Sequence, residues 1–271
     1  HSWGNRNYYF EGNFVTSHIT GSETAITETQ NSITHLFQRV DAGHVEVDPT
    51  RTSLSGTGGK IEIGKAGGGN WRYNGGFIWR SPELELNDVG FLRRTDEIIQ
   101  FTDLKYLWQI PTEVYRNINA GFEQGSVYDF AGNLNNVNYE IAGEISWINN
   151  WWSEAGYSLT TNFFDNSFLR GGPRWQRPDT SSKYFFMGSD NSKLFSFTLG
   201  YSNNDSHENV VGRDRFVIRT NYQASDSFSM SFNIEYENEF DRTQFIPSAR
   251  GTTFNNDARY ILGRIQNETL T

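Results

Sequence analysis

The feature that most constrains this chain is a strict alternation of apolar and polar residues. In the run 227–237, every second residue is large and apolar, from Phe228 through Phe232 to Tyr236, and the residues between them are Ser, Asn or Glu. Successive side chains of a β-strand point to opposite faces of a sheet, so this pattern predicts a strand with one apolar and one polar face. The run 137–147 alternates in the same way, and shorter runs repeat it. The sequence therefore predicts an all-β protein.

Turn-forming residues divide the chain into many strand candidates of unusual length. Gly, Asn, Asp and Ser cluster between the alternating runs, and the six prolines fall outside the predicted strand interiors. Several candidates exceed the usual five or six residues. We predict an up-and-down antiparallel meander of about 12–13 strands that forms one domain over 1–271. The candidates are 5–19, 32–41, 52–65, 69–80, 97–110, 113–129, 136–150, 154–165, 181–189, 193–203, 210–223, 226–240 and 257–266.

Composition excludes several classes of protein. The 271 residues include 8 Trp, 13 Tyr and 21 Phe, which is enough apolar bulk for a folded chain rather than a disordered one. No apolar stretch approaches the roughly 20 residues of a membrane-spanning helix. A net charge of -9 with scattered basic residues argues against a nucleic-acid partner. With no Cys, disulfides and thiolate chemistry are impossible.

Two fold classes share this alternation, a transmembrane β-barrel and a soluble two-sheet sandwich. Long strands, an aromatic-rich apolar face and a charged opposite face favour the barrel, whose tryptophans would form belts at the lipid headgroups. In the sandwich, the same rings would fill the core. Exposed tryptophans could instead stack on sugar rings. The candidates for the belt or for stacking are Trp71, Trp79, Trp147, Trp151, Trp152 and Trp175.

Three stretches, 35–56, 85–96 and 170–178, resemble a family of unknown function from Bacteroidota. Members of that family place a sandwich similar to family-nine carbohydrate-binding modules before a C-terminal outer-membrane β-barrel. The resemblance implies a place in the outer membrane of a Gram-negative bacterium, contact with lipid, and a link to carbohydrate. The sandwich and the closing strands of the family's plan are missing here, so we expect a fragment of a longer protein with an incomplete barrel.

Charged residues on the predicted polar faces are candidates to line an aqueous lumen. They are Arg39, Glu140, Glu144, Arg219 and Glu235.

Segments that do not alternate, near 82–96, 166–180 and 241–256, are predicted to be extracellular or inward-folded loops. Their charges would tie the segments down, contact a solute or a partner protein, or pair with carboxylates such as Glu140 and Glu144; a basic cluster at a constriction would favour anionic solutes. The loop or plug candidates are Asp88, Arg93, Arg94, Asp96, Arg170, Arg174 and Arg177.

A metal site is a minor possibility at His44, Glu46 and Asp48, whose spacing puts them on one side of a strand, with Asp41 as a further oxygen ligand. A plain polar row is the favoured alternative, because no glycine-organised ligand loop is present. No catalytic motif pairs a nucleophile with a base, so we expect neither an enzyme nor a cofactor.

Three functions remain open. The first is a porin-like barrel that passes or docks a polar, possibly glycan-related solute. The second is a non-transporting scaffold or accessory subunit that binds other envelope proteins. The third is a soluble β-sandwich that binds glycans.

Overall fold

The computed structural model describes residues 1–87, 90–225, 227–246 and 260–271. It contains one large antiparallel sheet of 13 strands and a separate two-stranded ladder. The strands of the large sheet are β1 (Ser2–Trp3), β2 (Tyr8–Thr20), β3 (Ser53–Lys65), β4 (Trp71–Arg80), β5 (Glu97–Trp108), β6 (Tyr115–Tyr128), β7 (Leu134–Trp147), β8 (Trp152–Thr161), β11 (Thr180–Gly188), β12 (Phe195–Ser206), β13 (Val211–Ser225), β14 (Phe228–Phe245) and β15 (Leu262–Leu270). The ladder joins β9 (Phe164–Asp165) to β10 (Trp175–Gln176).

The strands of the large sheet follow one another in chain order, each antiparallel to the next, and β8 pairs directly with β11. The predicted all-β, antiparallel meander is therefore confirmed. The sheet is not closed into a barrel: β1 and β15 are the two ends of the strand order, and within the described ranges no ladder joins them. β1 is only two residues long, so it offers little backbone for such a ladder.

The predicted strand at 32–41 is wrong. The connection between β2 and β3 instead holds the helix α1 (Glu23–Gln30), followed by a series of turns. Ser22 caps the helix, because its Oγ accepts a hydrogen bond from the Ala25 amide at 3.2 Å. At the other end, the Asn31 amide side chain donates to the Thr27 carbonyl at 2.8 Å. Within 32–41, turn bonds from the Leu36 amide to the Ser32 carbonyl at 2.9 Å and from the Arg39 amide to the Leu36 carbonyl at 3.2 Å use backbone groups that a strand would pair with a neighbour. Within the described ranges, no helix is long and apolar enough to cross a membrane.

The connections between the strands differ in length at the two ends of the strands. At one end, the strands are joined by short links such as 66–70, 109–114 and 148–151. At the other end lie the long connections 21–52, 81–96 and 162–179. Two of the predicted loop segments, 82–96 and 166–180, fall in these long connections, except that Thr180 begins β11. The third, 241–256, begins too early, because β14 continues to Phe245; residues 247–259 lie outside the described ranges.

The long connection 21–52, which we call the plug, packs against one face of the sheet. Ile26 and Phe37 of the plug form a buried apolar core with Leu54 of β3, and Ile19 of β2 adds to it. Burial of several large apolar side chains supplies the main attraction between the plug and the sheet.

Residues 83–85 of the connection between β4 and β5 contact both β3 and the plug. Their backbone lies so close to β3 that a Cβ atom at Gly56 would be 2.1 Å from the Leu84 amide nitrogen. Position 56 therefore has to be glycine for the segment to lie there. Arg51 of the plug binds Glu83 through two hydrogen bonds of 2.8 and 2.9 Å. Burial by itself would raise the pKa of Glu83, but the bonds from Arg51 and from the Ser55 amide hold it below its usual value.

Candidate functional site

The sheet has one apolar and one polar face, and the plug packs on the polar one. Among the described residues, no second layer covers the apolar face, and many of its large side chains are solvent-exposed. Phe14, Ile141 and Phe232, from three separate strands, are 62–65% exposed. Others on this face that are exposed are Phe10, Ile61, Ile63, Tyr73, Phe77, Leu104, Phe122, Tyr139, Tyr157, Phe185, Phe216, Ile218, Phe228 and Met230.

The polar face carries a group of carboxylates in the middle of the sheet, which we call the carboxylate row: Glu123, Glu140, Glu144 and Glu154. Glu123 lies directly opposite Glu140 in the strand register, and Glu144 lies opposite Glu154. Together with Lys105, they border a cavity of about 390 Å³. Lys105 Nζ donates to Glu123 at 3.3 Å and to Asp103 at 3.2 Å, whereas Glu140, Glu144 and Glu154 form no ion pair with any described residue. Glu140 and Glu144 lie on the polar face, where the alternation placed them. The sequence did not single out Glu123 and Glu154 as candidates, because their position opposite Glu140 and Glu144 depends on the strand register.

Arg219 and Glu235 also lie on the polar face, on β13 and β14. The partner of Glu235 is Arg215, which binds it through two hydrogen bonds of 2.6 and 2.8 Å. Arg219 is exposed on the same face. This part of the polar face therefore carries balanced charge, unlike the carboxylate row.

Arg39 does not lie on a strand and does not line the polar face as expected. It lies within the plug, where its side chain is 4% exposed and its Nη2 binds Asp96 Oδ2 at 2.8 Å. Asp96 Oδ1 accepts two further bonds, from His44 Nε2 at 2.8 Å and from the Phe130 amide at 3.0 Å. We call Arg39, His44 and Asp96 the Asp96 cluster. It connects the plug, the segment 81–96 and the β6–β7 turn through one buried carboxylate.

The predicted metal trio is not brought together. Of its members, only His44 belongs to a close group of potential ligands, which it forms with Asp96 and Asp129. Asp48 Oδ1 instead accepts from the amide and hydroxyl of Thr50, and these bonds lower the pKa of Asp48.

The new group is better explained without an ion. Asp129 accepts bonds from the Ala131 amide and from the amide and side chain of Asn133, at 2.8–3.0 Å. Asp96 is neutralised by Arg39. Both carboxylates thus have their partners within the protein, and a cation would have to displace them.

His35 forms a second buried contact between the plug and the segment 81–96. Its Nε2 donates to the Leu84 carbonyl at 3.1 Å, because a carbonyl oxygen can only accept, and its Nδ1 is 3.1 Å from the Ser32 hydroxyl. Burial lowers the pKa of His35, and the Glu85 carboxylate 3.8 Å away opposes this only partly. His35 is therefore neutral at pH 7.

Two of the loop candidates, Arg94 and Asp96, bind residues outside their own segment. Arg94 reaches Asp165 at 3.4 Å, and Asp96 binds the plug, as described above. Arg93 is exposed, and Asp88 lies outside the described residues.

Two of the three candidate arginines of the segment 162–179 lie over aromatic rings. Arg174 stacks on the Phe164 ring at 4.5 Å, Arg177 lies over Phe163 at 5.4 Å, and Arg170 is exposed. The alternative pairing with Glu140 or Glu144 is wrong, since within the described ranges these arginines make no ion pair with either carboxylate. The segment is tied to the plug instead, where the Arg174 amide donates to Asp41 at 2.8 Å.

The tryptophans are divided between the faces and ends of the sheet. Trp71, which packs on Tyr106, and Trp147 lie on the apolar face at the end with short connections. Trp79 lies on the same face at the opposite end, near Phe14.

The other three tryptophans do not fit a single belt. Trp152 covers Gly188 on the polar face, which corrects its expected place in the belt. Trp151 packs edge-on against Phe197 in the short-connection region. Trp175 stacks on Phe168 within the long connection 162–179, away from the strands of the large sheet.

Comparison with known proteins identifies a family but not an activity. A family model described as a domain of unknown function, DUF5916, matches residues 2–271. No curated protein and no solved structure gives a significant match. The match spans nearly the entire chain, including the sheet, the plug and the Asp96 cluster. The chain therefore belongs to the DUF5916 family, whose function is unknown.

Proposed function

We propose that the sheet forms part of the wall of an outer-membrane β-barrel, and that its polar face borders an aqueous interior where a polar solute docks. The single observation that carries this proposal is the uncovered apolar face opposite a charged one. A sheet that exposes Phe14, Ile141 and Phe232 on a broad surface needs an apolar environment on that side, because contiguous apolar patches of this size are rare on soluble monomers.

The dimensions of the apolar face match a bilayer. On β14, the apolar side chains run from Phe228 to Tyr236, eight residue steps along the strand. At about 3.3 Å per step, they cover about 26 Å, or about 20 Å along the membrane normal for a tilt of about 40°. Outer-membrane barrels have an apolar band of about 25 Å, with short turns at one end and long loops at the other. The short links at one end of the strands and the long connections at the other correspond to these turns and loops.

The carboxylate row supports water on the opposite side. Like charges placed directly across a ladder destabilise a sheet, and ionised carboxylates in a dry interior carry a large desolvation cost. Glu123 with Glu140, and Glu144 with Glu154, are tolerable as neighbours when water screens them. The exposure of Phe232 and Tyr139, 62% and 42%, supports the barrel over the soluble sandwich, in which both side chains would be buried between two sheets.

The plug favours docking over free passage. It occupies the polar face at the end with long connections, and the buried core of Ile26, Phe37 and Leu54 fixes it there. A fixed plug also favours the second candidate function, a scaffold within a larger envelope complex that transports nothing. Conductance in planar bilayers separates the functions: a large, steady conductance indicates passage, whereas a closed trace with solute binding indicates docking, and neither signal indicates the scaffold.

The membrane assignment is tested by two neighbouring substitutions on β14. Phe232→Arg places a charge on the proposed lipid side, and Ser231→Arg places the same charge on the polar face one residue earlier, opposite the uncharged Asn221. We expect Phe232→Arg to reduce the free energy of folding into phosphatidylcholine vesicles by about 2–4 kcal/mol. Ser231→Arg should change it by less than about 0.5 kcal/mol. Heat-modifiable migration on gels across a urea series measures both.

Two results would count against a membrane barrel. One is an equal change in folding free energy for the two substitutions, since both faces of the sheet would then contact the same solvent. The other is a protein that folds and stays monomeric in water without detergent or lipid, as a soluble sandwich would.

A further inference from the structure

A small cavity of about 220 Å³ lies beside the Asp96 cluster, where the plug, the start of β7 and the segment 162–179 meet. At about 30 Å³ per water molecule, it has room for about seven waters or for one ring-sized solute. It lies at the end of the sheet with long connections, away from the carboxylate row.

A β-bulge turns two consecutive asparagines toward this cavity. Tyr128 pairs with Leu134 and Val127 pairs with Asn136, so Asn135 is an extra residue in β7 without an opposite partner. In a regular strand, Asn135 and Asn136 would point to opposite faces. The bulge lets both line the cavity, and bulges commonly redirect side chains next to binding sites.

Two amide oxygens in the cavity have no hydrogen-bond partner. Asn135 is 5% exposed, and its Oδ1 is buried and accepts no bond from any described group. The same holds for Oδ1 of Asn166, which lines the cavity from the segment 162–179. A buried amide without a partner is costly, so these two groups are suited to a ligand that donates hydrogen bonds.

The charged side chains at the cavity are already paired within the protein. Arg39 binds Asp96, and Arg94 reaches Asp165. Glu97 binds Arg80 at 2.9 Å. Each charged side chain that lines the cavity in the described residues thus has a partner of opposite charge, which favours a neutral ligand. Arg174 and Arg177 do not line the cavity but lie over the rings of Phe164 and Phe163, so the charged probes below also test their influence.

The remaining walls fit a hydroxylated ring. Phe163 and Phe164 supply an apolar surface, and Thr34, Thr95 and Ser167 add hydroxyl groups. We infer that this cavity binds a small, uncharged polyhydroxy compound of about the size of one sugar ring, with Asn135 and Asn166 accepting hydrogen bonds from its hydroxyls. This inference names the solute class for the docking function proposed above and rests on that function for its biological role.

Binding can be measured without a membrane, so its failure is distinguishable from failure of the barrel assignment. The full chain in detergent is titrated with glucose, galactose, mannose and myo-inositol, and binding is followed by saturation-transfer NMR. We expect at least one of these to bind with a dissociation constant in the millimolar range, as for other ligands of this size. Glucuronate and glucosamine, which add a charge to a similar ring, should bind at least about tenfold more weakly than the best neutral probe.

Matched substitutions locate the site. Asn135→Leu and Asn166→Leu should each weaken binding of that probe by about fivefold or more, since each removes one hydrogen-bond acceptor. Asn233→Leu, at an exposed position on the polar face, should leave it unchanged. Only variants whose circular dichroism spectrum and thermal unfolding match those of the wild type are compared. The inference is overturned if no neutral probe binds more tightly than about 50 mM, if a charged probe binds best, or if both cavity variants bind as the wild type does.

Discussion

Replacement of Asp96 by Asn isolates the charge of the buried carboxylate that holds the plug. Asp96 adopts φ +57°, a left-handed conformation that Asn accepts about as readily as Asp, so the exchange adds little backbone strain. The Asn side chain also keeps an oxygen for His44 and for the Phe130 amide. What it removes is the negative charge opposite Arg39.

The cost follows from the burial of the pair. The side chains of Arg39 and Asp96 are only 4% and 7% exposed, so the guanidinium left behind has little access to water. Removing one partner of such a pair costs about 3–5 kcal/mol. Because the other two bonds to residue 96 remain, we expect the free energy of plug opening to fall by about 3 kcal/mol, the lower end of this range.

Hydrogen exchange measures that opening directly. The Phe37 amide donates to the Gln30 carbonyl at 2.9 Å, and the Thr95 amide donates to the Thr34 carbonyl at 3.0 Å. Both amides become exchangeable when the plug detaches. A loss of about 3 kcal/mol corresponds to exchange more than about a hundredfold faster at these amides, whereas amides within β12 and β13 should keep their rates.

Two controls define the outcome. Glu123→Gln removes a partner from the exposed Lys105 pair and should change plug exchange by less than about 0.5 kcal/mol. Combining Arg39→Met with Asp96→Asn removes the unpaired charge and should recover more than half of the lost protection. If Asp96→Asn changes exchange by no more than Glu123→Gln does, the Asp96 cluster does not hold the plug.

Three further predictions concern the same region. Leu54→Ala, at a side chain with 0% exposure in the plug core, should cost about 3 kcal/mol in plug protection, and an effect below about 1 kcal/mol would mean that this core does not secure the plug. Gly56→Ala should displace the segment 81–96, because its Cβ would overlap the Leu84 backbone, and so accelerate exchange at the Thr95 amide; Gly43→Ala, which meets nothing within 4 Å, is the matched control. Because burial lowers the pKa of His35 in the folded state, the open state binds the proton more tightly. Plug protection should therefore be constant above about pH 7 and fall as the pH drops below about 6.5, and His35→Gln should remove that dependence.

Local chemistry was sufficient to predict the strands. The alternation in 227–237 reflects the geometry of a single strand, which needs no partner to be recognised, and twelve of the thirteen candidate segments contain observed strands of the large sheet. The polar face was likewise predictable, as Glu140, Glu144, Arg219 and Glu235 show, because each residue's side of the sheet follows from its position in the alternation. The resemblance in three sequence stretches pointed to a family of unknown function, and the chain belongs to such a family.

The failures lie where the chain leaves regular alternation. The helix α1 was missed, although Ser22 is a residue type preferred at the start of helices and could have indicated one. Arg39 and His44 were assigned to strands, and nothing near them in sequence indicates that their shared partner, Asp96, lies more than fifty residues later. Asn135 went unnoticed because a bulge is a property of two paired strands and not of one.

The sequence alone thus determined which residues form strands and which face each side chain occupies, since both depend on interactions between near neighbours. Only the tertiary structure decided that the connection 21–52 packs on the polar face of the sheet, and that Asn135 and Asn166 meet at one cavity. Those outcomes depend on contacts between segments far apart in the chain, whose free energies are set by burial and pairing in three dimensions and leave no periodic pattern in the sequence.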